Sequence, residues 1–391
     1  MKNRYFLSEI LETDCFFRGT LNVVVAPCGC GKSHAAINKI APLASEPSKV
    51  LYLIDTTAGC ERISNENGII LPHPYYGEDT ANERFLTETN KTKIVVATYA
   101  RFGVWCSQYR NFSDHFEVII CDEVHNLVQF ATFNDESNYT AIAQESICAS
   151  VRRGKTLFVG ITATPEYLTR LRCPQYFVPL DTSILKHYID KETVYYASIK
   201  QLLRQLPVSK HGALYVSRVT QMKEFEKIAR ACGHNPICLW SPASKEHKMM
   251  PEQMNVRAHL LEFEEVLPPY NLLIINASCE TAINIRSHMD FFIVHNSNQT
   301  HILQARGRYR GDLETLYLLD KDKGTVIIPE SYLNRKLFKE DKAALNEDLY
   351  IKNNNGRLIP WNQLSLMMTD SGYTFEEGRA DNRPYTIIHQ L

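Results

Sequence analysis

A chain of 391 residues with 44% hydrophobic content can bury more than one core, so two or three domains are expected. Its 43 Lys and Arg against 44 Asp and Glu leave a formal net charge of −1, which excludes polyanion binding driven by bulk charge and makes any nucleic-acid contact a local one. No apolar run approaches the ~20 residues of a membrane span, and the opening MKNRYFLSEILETDCFF breaks its apolar positions with Arg, Glu and Asp, unlike a secretory signal, so a cytoplasmic chain with no membrane attachment is expected. The 11 cysteines contain no C-x-x-C, which argues against a zinc ribbon or a disulfide framework and for reduced, mostly buried thiols.

In chain order, nearly all-apolar runs alternate with helical stretches: LNVVVA, KVLYLID, KIVVATY, FEVIICDE and KTLFVGITA. Strands buried on both faces of a parallel sheet read this way, because neither face needs polar residues. A polar stretch at 181–192, DTSILKHYIDKE, then separates these from a second set: GALYVSR, NPICLWS, NLLIINA, FFIVHN and TLYLLD. The pattern predicts two doubly wound α/β domains, over 1–185 and 186–325. From 326 to 391 the grammar changes. SYLNRKLFKEDKAALNEDLYI and PWNQLSLMMTDSG read as helices, the second stopped by Gly372, and YTFEEGRADNRPYTIIHQL reads as a hairpin around a polar turn. A small C-terminal α+β module follows, either winged-helix-like or a plain packing element.

The first strand runs into APCGCGKS, residues 26–33, and then a helix. A strand, a Gly-containing loop and a helix start aim backbone N–H groups and the helix dipole at one point, where a polyphosphate binds. Pro27, Cys28, Gly29, Cys30, Gly31, Lys32, Ser33 and His34 would form this binding run, with Lys32 reaching the outer phosphates and Ser33 offering its hydroxyl to Mg²⁺. The usual first Gly of the pattern is Ala26 here. In VIICDEVHNL, residues 118–127, a strand delivers Asp122 and Glu123 to the carboxyl edge of the same sheet. That placement suits Asp122 as a Mg²⁺ ligand and Glu123 as the base that orients and deprotonates an attacking water.

With both motifs in order, the chain resembles the superfamily 2 helicases of the DExH type, with a DEVH box, and among them the compact ATPases of phages and mobile elements. GITATP (160–165) resembles motif III, VVATYARF (95–102) is similar to a segment that touches a nucleic-acid backbone, and ALYVSR, ASCETAINI and QARGRYR resemble motifs IV, V and VI. The resemblance covers about residues 20–320. It implies two RecA-like domains, ATP and Mg²⁺ in the cleft between them, nucleic acid across both, and Gln304, Arg308 and Arg310 near the γ-phosphate. It also implies that Asn284 lies near the nucleotide or strand, that Thr98 and Tyr99 touch nucleic acid, and that His125, Thr162 and Thr164 couple the domains to the nucleotide state.

Several positions depart from the family pattern. Motif VI reads Gly-Arg-x-Arg, making Arg310 the candidate arginine finger; motif V has Ala282 for its Gly and Asn276 for its Thr; no Gln precedes Lys32 to read adenine. Asp55, Thr56 and Thr57 stand where relatives carry Pro-Thr-Arg, which removes an expected phosphate contact and predicts weak or conditional strand binding. Tyr75 and Tyr76 in LPHPYYGED could stack bases or pack down as an ordinary loop, and Cys28 and Cys30 could be oxidised or simply fill the loop.

The reading is an ATP-dependent helicase or translocase, a monomer acting on nucleic acid with DNA favoured over RNA, and using a protein partner such as a nuclease or a replication or defence component. The alternative is a nucleic-acid-responsive ATPase switch or scaffold that works through a protein partner without unwinding.

Overall fold

The computed structural model describes residues 4–70, 93–132, 138–242, 244, 246–276, 283–320, 322, 324–353 and 356–391. The chain divides into two compact units, Met1–His187 and Tyr188–Leu391.

In the first unit, β1 (Leu21–Val25), β2 (Val50–Ile54), β3 (Gly68–Ile70), β4 (Ile94–Thr98), β5 (Val118–Asp122), β6 (Leu157–Thr162) and β7 (Gln175–Phe177) form one sheet in the order β3-β4-β2-β5-β6-β1-β7. Every pairing is parallel. Side chains alternate across the pleat. Val23, Leu51, Leu53, Ile119, Cys121 and Phe158 therefore feed one core, and Val24, Val50, Tyr52, Ile54, Ile120 and Val159 feed the other. Two buried faces explain why these strands read as continuous apolar runs rather than alternating ones.

On the first of these faces, helix Tyr99–Gln108 crosses helix Tyr139–Arg153 at Gly103. A Cβ placed there would lie 1.8 Å from the Tyr139 carbonyl oxygen, a clash with backbone that no rotamer relieves. Gly103→Ala is expected to destabilise the first unit by about 3 kcal/mol, the upper end of overpacking costs, as read from a denaturant melt.

The second unit repeats the plan with β8 (Asp190–Tyr196), β9 (Gly212–Val216), β10 (Pro236–Leu239), β11 (Leu272–Ile275), β12 (Phe291–His295) and β13 (Leu313–Leu319), ordered β10-β11-β9-β12-β13-β8 and again all parallel. The expected polar separator at 181–192 is corrected at its end, because residues 190–192 open β8. This edge strand is half-exposed and carries Asp190, Lys191 and Glu192, so it lacks the apolar signature of its neighbours. The short edge strands β3 and β7 escaped the sequence reading in the same way.

Beyond β13, helix Lys339–Leu349, helix Trp361–Asp370 and the antiparallel hairpin β14 (Tyr373–Ala380) and β15 (Arg383–Gln390) form the small C-terminal module. The hairpin turns at Asp381 and Asn382, both at positive φ, which matches the twist of the flanking strands. Residues 333–338, expected to be helical, instead run beside β15, with Leu333 bridging Ile388 and Leu337 bridging Thr386. Leu337 is buried with Leu345, Leu364 and Ile388, so the burial of that side chain overrides the local helix pattern. Asp348 accepts from Lys200 at 3.1 Å and Arg204 at 2.8 Å, which ties the module to helix Ile199–Gln205.

No helix among the described residues is long and apolar enough to cross a membrane. The ten described cysteines are all free.

Candidate nucleotide site

β1 ends at Val25, and Ala26 N–H donates to the Thr162 carbonyl at 2.9 Å, which pins the start of the loop to the end of β6. Gly29 and Gly31 sit at φ +85° and +86°, the left-handed region that glycine enters without strain, so the loop can turn its backbone inward before the helix begins at Lys32. The N-terminal segment braces it from outside. Leu7 N–H donates to the Cys30 carbonyl at 2.8 Å, and Phe6 packs where a Gly31 Cβ would point. Pro27, Cys28 and Gly29 are partly exposed along the loop, Cys30 is fully buried, and His34 is exposed on the first helical turn.

Lys32 Nζ lies 2.8 Å from Glu123 Oε1, bringing the loop lysine onto the turn after β5. Burial alone would pull the ammonium pKa down, but Glu123, with Asp122 adding, holds it above its ordinary range. Asp122 is pushed the other way. Burial and the neighbouring Glu123 charge raise its pKa, against the Tyr52 hydrogen bond and the Lys32 charge. Two carboxylates at one buried edge therefore carry negative charge that a hard cation would relieve. The Asp122 carboxylate, held by the Tyr52 phenol, and the Ser33 hydroxyl beside Lys32 fit Mg²⁺, which commonly takes one or two protein oxygens and fills its shell with phosphate and water.

Glu123 itself sits at φ +45°, unusual for a residue with a side chain. Such strain persists where the surroundings impose it, often at functional sites. Here Asp122 Oδ1 accepts the Glu123 N–H at 3.0 Å, and Val124 N–H donates to Ile161 O at 3.1 Å. Gly160 completes the fit, since a Cβ there would lie 2.9 Å from Val124.

Behind the carboxylates runs a buried polar chain. His125 Nδ1 stands 3.5 Å from Glu123 Oε2 and 2.8 Å from Thr162 Oγ1, which accepts the Thr164 N–H at 3.0 Å. His125, Thr162 and Thr164 are all buried, and Thr164 Oγ1 has no hydrogen-bond partner. Glu123 is thus separated from the end of β6 by one buried imidazole. Thr98 caps its helix by accepting from Arg101 N–H at 3.1 Å.

Tyr99 is a correction: at 1% exposure it offers no surface to a nucleic-acid backbone. Its hydroxyl instead donates to the Asp122 carbonyl at 2.8 Å. Asp55 accepts from Asn126 at 2.7 Å, and Thr56 caps helix Thr57–Asn67, so the altered segment after β2 braces the DEVH turn. Tyr75 and Tyr76, and residues 277–282 with Ala282, lie outside the described residues.

In the second unit the structure brings motifs V and VI together. Ile285 N–H donates to Arg308 O at 2.9 Å and Arg310 N–H to Ile285 O at 2.8 Å, while Arg310 Nε donates to Asn284 Oδ1 at 3.0 Å. Asn284 in turn donates to Glu264 Oε1 at 2.7 Å. Gln304 and Arg308 are both buried, and Arg308 Nε donates back to the Gln304 carbonyl at 3.2 Å. The sequence reading missed Arg306, which is buried and bonded to Asp190, Tyr309 O and Gly311 O, holding the motif VI turn against β8. It also missed Tyr52, whose position inside an apolar strand gave no motif signal.

A strand-loop-helix carrying Lys32 and Ser33 thus lies beside an Asp-Glu strand end, and a second parallel sheet carries an arginine-rich turn. Residues 9–167 match the family model described as type III restriction enzyme, res subunit. No curated protein matches the chain in sequence. Among solved structures, S. cerevisiae Dbp5 bound to RNA and ADP BeF3 is similar at a TM-score of 0.51 and 11% identity, covering 90% of this chain and 89% of that one. The DUF1998 helicase MrfA bound to DNA is similar at 0.50 and 12%, covering 95% and 58%. Escherichia coli DEAH/RHA helicase HrpB is similar at 0.50 and 12%, covering 90% and 47%. The likeness to these structures is one of fold. That fold is two RecA-like domains.

Proposed function

We propose that the protein hydrolyses ATP with Mg²⁺ and couples hydrolysis to movement along, or remodelling of, nucleic acid, with DNA favoured over RNA. The observation that carries this reading is the pairing of Lys32 with Glu123 at 2.8 Å, each next in sequence to its assigned Mg²⁺ ligand, Ser33 and Asp122. The restriction-enzyme name of the matching family supports DNA.

In this mechanism the loop N–H groups and Lys32 bind the phosphates, and Lys32 exchanges its Glu123 partner for them. Ser33 and Asp122 would hold the Mg²⁺, which supplies charge neutralisation at the phosphates when bound. Glu123, released from Lys32, takes the proton of the attacking water. Gln304, Arg308 and Arg310 are assigned to the γ-phosphate, where a guanidinium stabilises developing charge. Asn284 positions Arg310. Thr98 would touch the nucleic-acid backbone, and His125, Thr162 and Thr164 relay the nucleotide state through the chain behind Glu123. A cytoplasmic monomer with a 326–391 accessory module, and a nuclease or replication or defence partner, complete the proposal.

A switch or scaffold without unwinding is the second reading. It is favoured by one observation: Asp55, in the segment where relatives bind phosphate through Pro-Thr-Arg, is committed to Asn126.

The deciding experiment is steady-state ATP hydrolysis by the purified chain, alone and with single-stranded DNA, duplex DNA, single-stranded RNA and duplex RNA, with Lys32→Ala as the blank. Stimulation by DNA is expected. Turnover indifferent to all four polymers would turn the assignment to the switch.

A further inference from the structure

Tyr52 sits in the middle of β2, fully buried on the face shared with Val24, Ile120 and Val159. A leucine would fill such a position with no polar atom to satisfy, and a buried hydroxyl without a partner costs free energy. Here the hydroxyl has its partner: it donates to Asp122 Oδ2 at 2.7 Å.

This arrangement suits the carboxylate assigned to the metal. Asp122 is held at both oxygens, by Tyr52 on Oδ2 and by the Glu123 N–H on Oδ1, which fixes the plane of the carboxylate.

Resting on the nucleotide reading above, we propose that Tyr52 is a positioning residue for Mg²⁺: its buried phenol, with the Glu123 N–H, sets the orientation of the Asp122 carboxylate. Residues that orient metal ligands in this way commonly change metal affinity 10- to 100-fold when lost.

The test is binding of mant-ATP to the full chain and to Tyr52→Phe, in EDTA and across a Mg²⁺ titration. Phenylalanine keeps the ring that fills the core, and a metal-free thermal melt checks that the variant is folded. The expected result is an affinity in EDTA within about twofold of wild type, with the Mg²⁺ midpoint raised about tenfold or more. An unchanged midpoint overturns the proposal, as does an equal loss with and without Mg²⁺, which a purely structural phenol would give. A second measurement uses Asp122→Asn. If Tyr52 acts through Asp122, adding Tyr52→Phe to Asp122→Asn shifts the midpoint by much less than it does alone, whereas fully additive shifts overturn the inference. A wild-type chain that binds no mant-ATP under any condition overturns the nucleotide reading instead.

Discussion

Glu123→Gln is expected to slow ATP hydrolysis by a factor on the order of hundreds or more while leaving nucleotide affinity nearly intact, because an amide cannot take the proton of the attacking water. The substitution is close to isosteric, and the amide oxygen can still accept from Lys32 at the position where Oε1 now lies 2.8 Å away. The turn should therefore keep its shape. The backbone at φ +45° is held by bonds from Glu123 N–H to Asp122 and from Val124 N–H to Ile161, neither of which involves the Glu123 side chain. Glu123→Ala is the less informative variant, since it removes the carboxylate that pairs with the buried Lys32 ammonium and adds a stability cost to the catalytic one. Single-turnover hydrolysis, measured with mant-ATP binding on the same protein, separates the two effects. A normal single-turnover rate in Glu123→Gln would place the base elsewhere.

The nucleotide motifs were legible because they are local: a phosphate loop and an Asp-Glu strand end each occupy a few consecutive residues. The two parallel sheets were legible for a related reason, since strands buried on both faces carry unbroken apolar runs such as VVV at 23–25 and LLII at 272–275. Edge strands gave no such signal. β8 begins with Asp190, Lys191 and Glu192, because its outer side faces water and tolerates charge. Tyr99 shows a different limit. Its place in a motif similar to a nucleic-acid-binding segment suggested a surface residue, yet the preceding β4 turns the ring inward, onto the Asp122 carbonyl. Tyr52 was invisible for the opposite reason. An aromatic residue in an apolar strand reads as core, and only the fold brings β2 beside β5 with the register that sets Tyr52 across from Ile120, two residues short of Asp122.

Arg310→Ala is expected to lower turnover about a hundredfold or more with a modest effect on nucleotide affinity, the pattern of a group that acts on charge developing in the transition state. Within its own unit the side chain is already braced: Nε is bonded to Asn284, and the backbone on either side of Tyr309 is laced to Ile285. That bracing yields a graded series. Asn284→Ala keeps the guanidinium but frees its orientation, so its turnover should fall between wild type and Arg310→Ala. The double variant should be little worse than Arg310→Ala alone, because a positioning residue has nothing left to position. Arg306→Ala should behave differently. Arg306 ties the motif VI turn to Asp190 and to two carbonyls, so its loss should lower the melting temperature of the second unit as well as turnover. Unchanged turnover in Arg310→Ala would move the finger to Arg308 or to neither. The present geometry favours Arg310, because Arg308 is buried and its Nε is bonded to its own helix at Gln304, whereas Arg310 is partly exposed, with Asn284 aligning it.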